Sequence, residues 1–327
     1  MRAVTINGYG GTEVLEVTDV PAPEPGPEEV LVEVRASALN RADLLQRMGL
    51  YPAPGPRPDH EIPGMEYSGT VTGVGDRVTS FVPGDQVMGI VAGGAQAEYV
   101  VAHERLVMPI PRGVDPADAA AIPEVFITAF DALVAQGGLT SGRRALVHAG
   151  ASGVGTAAIQ IVKALGGFIA VTCSGPKVAA CRELGADLVV DYTTESFAEA
   201  VSEWTSGNGV DVVLDVIGGD YLVDNLRSCR IQGRVIQVGI MGEGSCEVPL
   251  GLFLARRVAL IGTTLRARPL EQKAAITQRV IAEVLPLFET GDLKPVIDSR
   301  FGLEEIRAAH AHMASNANVG KILVDVS

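Results

Sequence analysis

The sequence predicts an α/β fold in two domains, a β-rich opening domain followed by a doubly wound parallel sheet. Three observations carry this. The chain has 327 residues, beyond the roughly 100–200 of one typical domain. It is 47% apolar and rich in glycine (38 residues), with only 5% aromatic residues, a composition suited to closely layered helices and sheets. Near Pro123 the texture changes from short alternating strands with turns to strands and helices in alternation.

The first domain spans residues 1–122. It opens on MRAVTINGYG, an alternating strand ending in a Gly turn, and continues through VLEVTDV, the Pro-rich turn PAPEPGPEE and EVLVEVRASAL. The loop YPAPGPRPDHEIPG follows, where missing amide donors and fixed φ angles prevent helix or ladder. GTVTGVG, DQVMGI and AEYVVA are further strands, with VPGD as the turn before DQVMGI.

The second domain spans residues 123–267. Arg144 to Ala149 is a short apolar strand, followed by a Gly loop and by Val154, Ala158, Ile161, Val162 and Leu165 at helical spacing. The unit repeats as FIAVTC with KVAACRELGA, DLVVDY with ESFAEAVSEWTS, DVVLDVIGG with a helix through Leu226, then RVIQVGIMG and VALIGTTL. Six such strands, read as buried on both faces and joined by helical crossovers, make a parallel sheet. A helix from Glu271 to Phe288, DLKPVIDSRF and the closing KILVDVS resemble the first domain in texture, so residues 268–327 are assigned to it.

Charge and composition exclude several function classes. The 26 Lys and Arg stand against 39 Asp and Glu, a net charge of -13 with no basic run, which disfavours nucleic acid and anionic membranes. A long disordered protein is excluded by the apolar content. The stretch from Ala145 to Cys173 is broken by glycines, His148, Gln160 and Lys163, so no membrane span is expected. The N-terminus lacks a basic-then-apolar leader pattern. Cys173, Cys181, Cys229 and Cys246 form no C-x-x-C pair, and a reducing cytoplasm is expected.

The strongest chemical signal is HAGASGVGTAAIQ at 148–160. It fits a phosphate-binding fingerprint in two registers, either Gly150, Ser152 and Gly155 or Gly153, Gly155 and Ala158, with Ala151 and Val154 inside the same turn. In both, small residues let backbone amides approach a pyrophosphate while the next helix favours its negative charge. About 20 residues on, NAD binders place a carboxylate against the ribose 2′-hydroxyl. Here the segment is VTCSGPK, with no acid. Ser174 and Lys177 instead suit a 2′-phosphate, through charge-assisted hydrogen bonds of roughly 1.5–3 kcal/mol each. Standing alone, Lys177 reads better as a solvated lysine in a first helical turn; the absent carboxylate tips the expectation to NADPH.

The Gly loop, together with ASALNRADLLQRMGLYP, IPGMEYSGTVTGVG, VPGDQV and NVGKILV, resembles the zinc-independent quinone oxidoreductases of the medium-chain dehydrogenase/reductases over essentially the whole chain. SALNRAD, AAAIPE and HAGASGVGTAAIQ are most similar to the tumour-suppressor-inducible branch. The resemblance implies a GroES-like catalytic domain, an NADP-binding Rossmann domain, a cleft between them and a homodimer. Zinc-dependent alcohol dehydrogenases of the superfamily carry a Cys within the stretch matching Ser37 to Asp43, and G-H-E where this chain has Gly64-Met65-Glu66. A thioether and a carboxylate do not make a tetrahedral zinc site, so no metal is expected.

By the same resemblance, Asn40 and Tyr51 face the nicotinamide, and Thr128 of FITAF lies near its ribose. Tyr51 is the candidate for orienting or protonating a reduced oxygen; the alternative is a loop tyrosine packed on prolines. Asn40 is a cofactor or substrate hydrogen-bonder, or else caps a helix from Arg41 to Arg47. Tyr192 matches a position near the 2′-phosphate, and Gly239, Met241, Thr263, Leu265 and Asn318 match positions lining nicotinamide or phosphates. His60, His103, His148, His310 and His312 form no ligand pair and are expected to be structural. Asp187, Asp191, Asp211 and Asp215 are expected to cap or face solvent, and Cys173 to be a buried thiol. The resulting expectation is NADPH-dependent reduction of a quinone or conjugated carbonyl, with no nucleic acid or membrane partner. Reduction of an enone or enoyl-thioester double bond is the second enzymatic alternative, and a non-catalytic NADPH-binding protein the third.

Overall fold

A computed structural model describes residues 1–55 and 58–326. Pro56 and Arg57 of the Pro-rich loop, and the terminal Ser327, lie outside the described residues. The chain divides into two compact units, Met1–Ile127 with Leu265–Ser327, and Thr128–Thr264.

In the first unit β1 (Arg2–Ile6) pairs antiparallel with β2 (Leu15–Asp19). β3 (Glu29–Ala38) is the longest strand and leads through Leu39 and Asn40 into α1 (Arg41–Arg47). β4 (Glu66–Val74), β5 (Gln86–Ile90), β6 (Tyr99–His103) and β7 (Val107–Pro109) follow. The alternation read in EVLVEVRASA has a physical counterpart: Val30, Val32 and Val34 are fully buried and pack with Leu39, Tyr67, Val87 and Val100. α2 (Pro123–Phe130) begins on a proline, whose missing amide costs nothing at a helix start; the boundary between the units falls within this helix.

In the second unit every strand is parallel. β8 (Arg144–Val147) leads to α3 (Gly153–Ala164), β9 (Phe168–Cys173) to α4 (Val178–Glu183), and β10 (Leu188–Asp191) to α5 (Phe197–Trp204). β11 (Val210–Asp215) leads to α6 (Tyr221–Ser228), then β12 (Cys229–Gln237), α7 (Leu250–Arg256) and β13 (Ala259–Gly262). The order is β10-β9-β8-β11-β12-β13, so the chain reverses direction of winding between β8 and β11, where doubly wound sheets bind ligands. One expectation is corrected: β13 is not buried on both faces, because as the last strand it leaves Ala259, Leu260 and Gly262 exposed.

The chain then returns to the first unit through α8 (Leu270–Glu283), α9 (Leu285–Glu289), β14 (Ile297–Gly302), α10 (Ile306–Ala314) and β15 (Lys321–Asp325). The single helix expected from Glu271 to Phe288 is two, divided at Val284 just before Pro286, which cannot donate an amide to the preceding turn. The sheet of this unit runs β14-β15-β3-β4-β5-β7, with β6 also on β3. β15 is antiparallel to β3, setting Leu323 opposite Ala38. Lys321 therefore starts its strand beside the end of β3 and the start of α1.

Candidate active site

In the second unit the candidate cofactor residues collect at the C-terminal ends of the parallel strands. The turn Gly150–Ser152 follows β8, Ser174 to Lys177 follow β9, Tyr192 follows β10, Gly239 and Met241 follow β12, and Thr263 follows β13. Both glycines of the first fingerprint register, Gly150 and Gly155, are closely packed. A Cβ on Gly150 would come within 2.6 Å of the Val171 Cβ, and one on Gly155 would fall on the Ala149 carbonyl and the Gly150 backbone. Ser152 is the N-cap of α3, its Oγ accepting from the Gly155 amide at 3.0 Å. The amides of Gly153 and Val154, first in that helix and half-buried, have no acceptor among the described residues. Outward-facing donors at a helix N-terminus fit a pyrophosphate.

Ser174 and Lys177 flank a short 3₁₀ turn, both half-buried. Sequence reasoning missed their neighbour from the next strand. Asp191 Oδ2 lies against Gly175, while Oδ1 accepts from the Thr193 amide at 3.0 Å and the Thr193 hydroxyl at 2.7 Å. These hydrogen bonds hold the Asp191 carboxyl below the usual carboxylate range. Tyr192 is half exposed next to it in the chain, and Met241, after β12, is half exposed as well.

Behind these loops lies a buried polar chain. His148 Nε2 meets Asn225 Oδ1 at 2.6 Å, Asn225 Nδ2 donates to Asp215 Oδ2 at 2.9 Å, and Asp215 Oδ1 accepts from the amides of Ile217 and Gly218. The Asn225 oxygen only accepts, so Nε2 carries the imidazole proton and Nδ1 accepts from the Thr172 hydroxyl at 3.0 Å. Burial pushes His148 down, keeping it neutral. Of the two expectations for Asp215, to cap or to face solvent, the structure shows the first: it caps the turn after β11 and is fully buried. Gln136, in a π-helical stretch from Asp131, donates to Thr263 Oγ1 at 2.9 Å. Thr128 is half-buried on α2.

In the first unit Asn40, Glu66 and Lys321 form one network. Lys321 Nζ lies 2.7 Å from Glu66 Oε1, 2.8 Å from Asn40 Oδ1 and 2.6 Å from the Leu39 carbonyl. Three acceptors use the three donors of an ammonium. Asn40 Nδ2 donates to Glu66 Oε1 at 2.8 Å, and Glu66 Oε2 accepts the Glu124 amide, at the start of α2, at 2.8 Å. Asn40 also caps α1, its amide donating to Asp43 Oδ2 at 2.7 Å. Asp43 Oδ1 accepts from Gly64 at 3.0 Å, yet full burial pushes its carboxyl up to about 6. Thus the stretches Ser37–Asp43 and Gly64–Glu66 bracket a resident ammonium. Among the described residues no group of three or more His, Cys, Asp or Glu is arranged to hold a metal ion.

Tyr51 is half-buried and held by Arg266. The guanidinium lies 5.2 Å from its ring centroid, and Nη1 donates to its carbonyl at 3.0 Å. Nε and Nη2 of Arg266 are bound to the Ala92 carbonyl and Gln46 Oε1, both at 2.7 Å. Burial raises the Tyr51 phenol above its ordinary value against the opposing charge of Arg266, so it is a protonated donor at neutral pH. Arg266 was not legible as a site residue, since a lone arginine after a strand carries no motif. Leu265 lines a small cavity of this unit with Glu124 and Arg266. Asn318, buried, donates to the Gly320 carbonyl at 2.9 Å in the turn before β15.

Residues 26–112 match the alcohol dehydrogenase GroES-like domain and residues 184–324 the family described as zinc-binding dehydrogenase. A quinone oxidoreductase of Pseudomonas aeruginosa is 35% identical over 333 residues, covering 99% of each chain. The spectinabilin polyketide synthase system protein NorB of Streptomyces orinoci is 34% identical over 96% of this chain, which spans only 14% of NorB. The crystal structure of CurK enoyl reductase superposes with a TM-score of 0.89 at 28% identity, covering 100% of this chain and 99% of that one. Two-domain architecture, fingerprint turn and near full-length identity agree, and the chain belongs to the zinc-independent quinone oxidoreductases of the medium-chain dehydrogenase/reductases, oxidoreductases that use a nicotinamide dinucleotide.

Proposed function

We propose that the protein is an NADPH-dependent quinone reductase that transfers hydride without a metal. The observation that carries the reading is the network of Lys321, Asn40 and Glu66. Its ammonium is spent on three protein acceptors, and the side chains that meet it are an amide and a carboxylate rather than thiolates or imidazoles. Oxidation of a plain alcohol calls for an electrophile to hold the alkoxide. A quinone is electrophilic already and needs only a hydride and a proton.

When bound, the reduced nicotinamide supplies the hydride. The chain's own contribution is to hold and orient. The amides of Gly153 and Val154, in the turn that also includes Gly150, Ala151, Ser152 and Gly155, receive the pyrophosphate, and Ser174, Lys177 and Tyr192 the 2′-phosphate. Asp191 does not compete for a ribose hydroxyl through Oδ1, which already takes both Thr193 donors. Gly239, Met241, Thr263 and Thr128 of the second unit line more of the cofactor. Tyr51, positioned by Arg266, donates a proton to the reduced oxygen, and Asn40 keeps α1 and the buried ion pair in register.

The test is to incubate the protein with NADPH and an ortho-quinone and identify the product. Hydroquinone formed with loss of reduced-cofactor absorbance supports the reading; no loss above the uncatalysed rate across several quinones refutes it. The likeness to CurK enoyl reductase favours a second reading, double-bond reduction in an enone or enoyl thioester, and a saturated ketone or thioester product identifies it.

We also infer a cytoplasmic homodimer. Four unpaired cysteines suit a reducing compartment. Leu250 and Leu254 of α7 and Leu260 of β13 are exposed, and β13 is an edge strand of its sheet, an edge suited to strand pairing across a twofold axis. Light scattering that returns the mass of one chain at micromolar concentration contradicts the dimer.

A further inference from the structure

Ala149, between His148 and the glycine turn, has a left-handed φ of 56°. For a residue with a side chain this conformation is costly, and it persists only where the surroundings over-determine it. Thr172, on the neighbouring strand β9, grips the residues on either side. Its hydroxyl meets His148 Nδ1 at 3.0 Å, and its carbonyl accepts the Gly150 amide at 2.8 Å. The Ala149 carbonyl in turn accepts the amide of Ser152, the cap of α3, at 2.9 Å. The clamp on Ala149 thus sets the entry to the turn.

This clamp is one end of a directional chain. Thr172 Oγ–H donates to His148 Nδ1, His148 Nε2–H to Asn225 Oδ1, and Asn225 Nδ2–H to Asp215 Oδ2. Asp215 Oδ1 takes the amides of Ile217 at 2.6 Å and Gly218 at 3.0 Å, so both carboxyl oxygens accept. Phe197 and Tyr221 flank the imidazole edge-on, with ring centroids 4.8 and 4.9 Å away. All four polar side chains are shut away from water, and a buried network with every member satisfied rigidifies its surroundings. The chain crosses from β9 through β8 to α6 and β11, at the point where the winding reverses. At its far end the carbonyls of Val216 and Ile217 accept the amides of Met241 and Gly242, in the loop after β12.

We propose that Thr172, His148, Asn225 and Asp215 are positioning residues of the dinucleotide site: they hold Ala149 left-handed and so keep the pyrophosphate turn in its binding conformation before the cofactor arrives. Their buried side chains act through the backbone. The inference rests on the placement of the pyrophosphate given above, and not on which acceptor is reduced. A turn already formed spares binding the cost of ordering it. Where a variant leaves only about a tenth of the molecules with the turn formed, the apparent Kd rises about tenfold. NADPH and NADH share the pyrophosphate, so both should weaken alike.

The test compares full-length wild type, Thr172→Val and Thr172→Ser by calorimetric titration with NADPH and, separately, with NADH. Valine keeps the volume and removes the hydroxyl, leaving His148 Nδ1 without its donor; serine keeps the hydroxyl and removes a methyl. Both retain the backbone carbonyl that holds Gly150. The Val variant, shown by urea unfolding to be folded under the titration conditions, is expected to bind each cofactor roughly tenfold more weakly. The Ser variant should match wild type. Wild-type affinity in the Val variant overturns the positioning role. Equal losses in the two variants overturn it as well, since they trace the effect to packing of the methyl. A second readout needs no cofactor. In the nitrogen NMR spectrum of histidine-labelled protein, the His148 signals, identified by their loss in His148→Gln, should report a neutral ring protonated at Nε2. A proton on Nδ1 instead reverses the chain and overturns the proposal. Wild type that binds neither NADPH nor NADH but shows the Nε2 proton would sink the placement of the cofactor, and the positioning role with it, while leaving the buried chain standing.

Discussion

Lys321 Nζ and Glu66 Oε1 are 2.7 Å apart in the first unit, both shut away from water. The pair ties the first residue of the last strand to the start of β4, and through Asn40 to the cap of α1. Removing one partner of such a pair strands a buried charge, at a cost of about 3–5 kcal/mol. Lys321→Met is expected to lower the urea midpoint accordingly, and adding Glu66→Gln should recover most of the loss. A double variant no better than the single one shows that the ammonium acts by packing instead.

Tyr51→Phe removes only the phenolic oxygen and leaves the ring under Arg266. Turnover should fall roughly 100-fold while the calorimetric Kd for NADPH is unchanged. An equal loss of cofactor affinity means that the residue holds the nicotinamide and does not donate to the substrate.

Lys177→Ala separates the two cofactors. Affinity for NADPH should drop roughly 10- to 100-fold, the worth of one charge-assisted hydrogen bond, with little change for NADH. Parallel losses for both would show that the 2′-phosphate is received elsewhere.

Gly155→Ala sets a methyl on the Ala149 carbonyl. Overpacking of this kind costs about 1–3 kcal/mol, and dinucleotide binding should disappear with it as the turn opens. Gly244→Ala is the control, because no atom lies within 4 Å of its added carbon; its urea midpoint should match wild type.

His310 is fully buried with neither ring nitrogen partnered among the described residues, and burial pushes it down from 6.5 to about 3. The unfolded chain takes up this proton below about pH 6.5 and the folded one does not, so stability falls as pH drops through that range. His310→Leu should flatten the Tm decline between pH 6.5 and 4. An unaltered slope places the acid sensitivity in other groups.

Much of the fold was legible because periodicity is local. The alternating valines of β3 and the helical spacing of Ala158, Ile161 and Val162 announce their own burial. The division at Val284 was also written locally, in Pro286, but sat inside an otherwise helical pattern. The site was legible only where a motif is contiguous, as in the Gly turn. The Lys321–Glu66 pair joins opposite ends of the chain, and Lys321 in NVGKILV looks like an ordinary charged strand start. Asp215 ends a strand as solvent-facing acids do, and only Asn225 on α6 shows why it is buried. The position of Asp191 beside Gly175 depends on β10 lying next to β9, which strand order and not sequence decides. Arg266 is recognisable once Tyr51, Ala92 and Gln46 have been brought to it.

The central claim is that a buried ammonium has taken the structural place of a metal while hydride transfer persists. Its most direct test is the stoichiometric oxidation of NADPH by an ortho-quinone in the presence of a strong chelator. The account predicts one NADPH consumed per hydroquinone formed, at a rate the chelator does not alter. Turnover that the chelator abolishes and a divalent cation restores would contradict it.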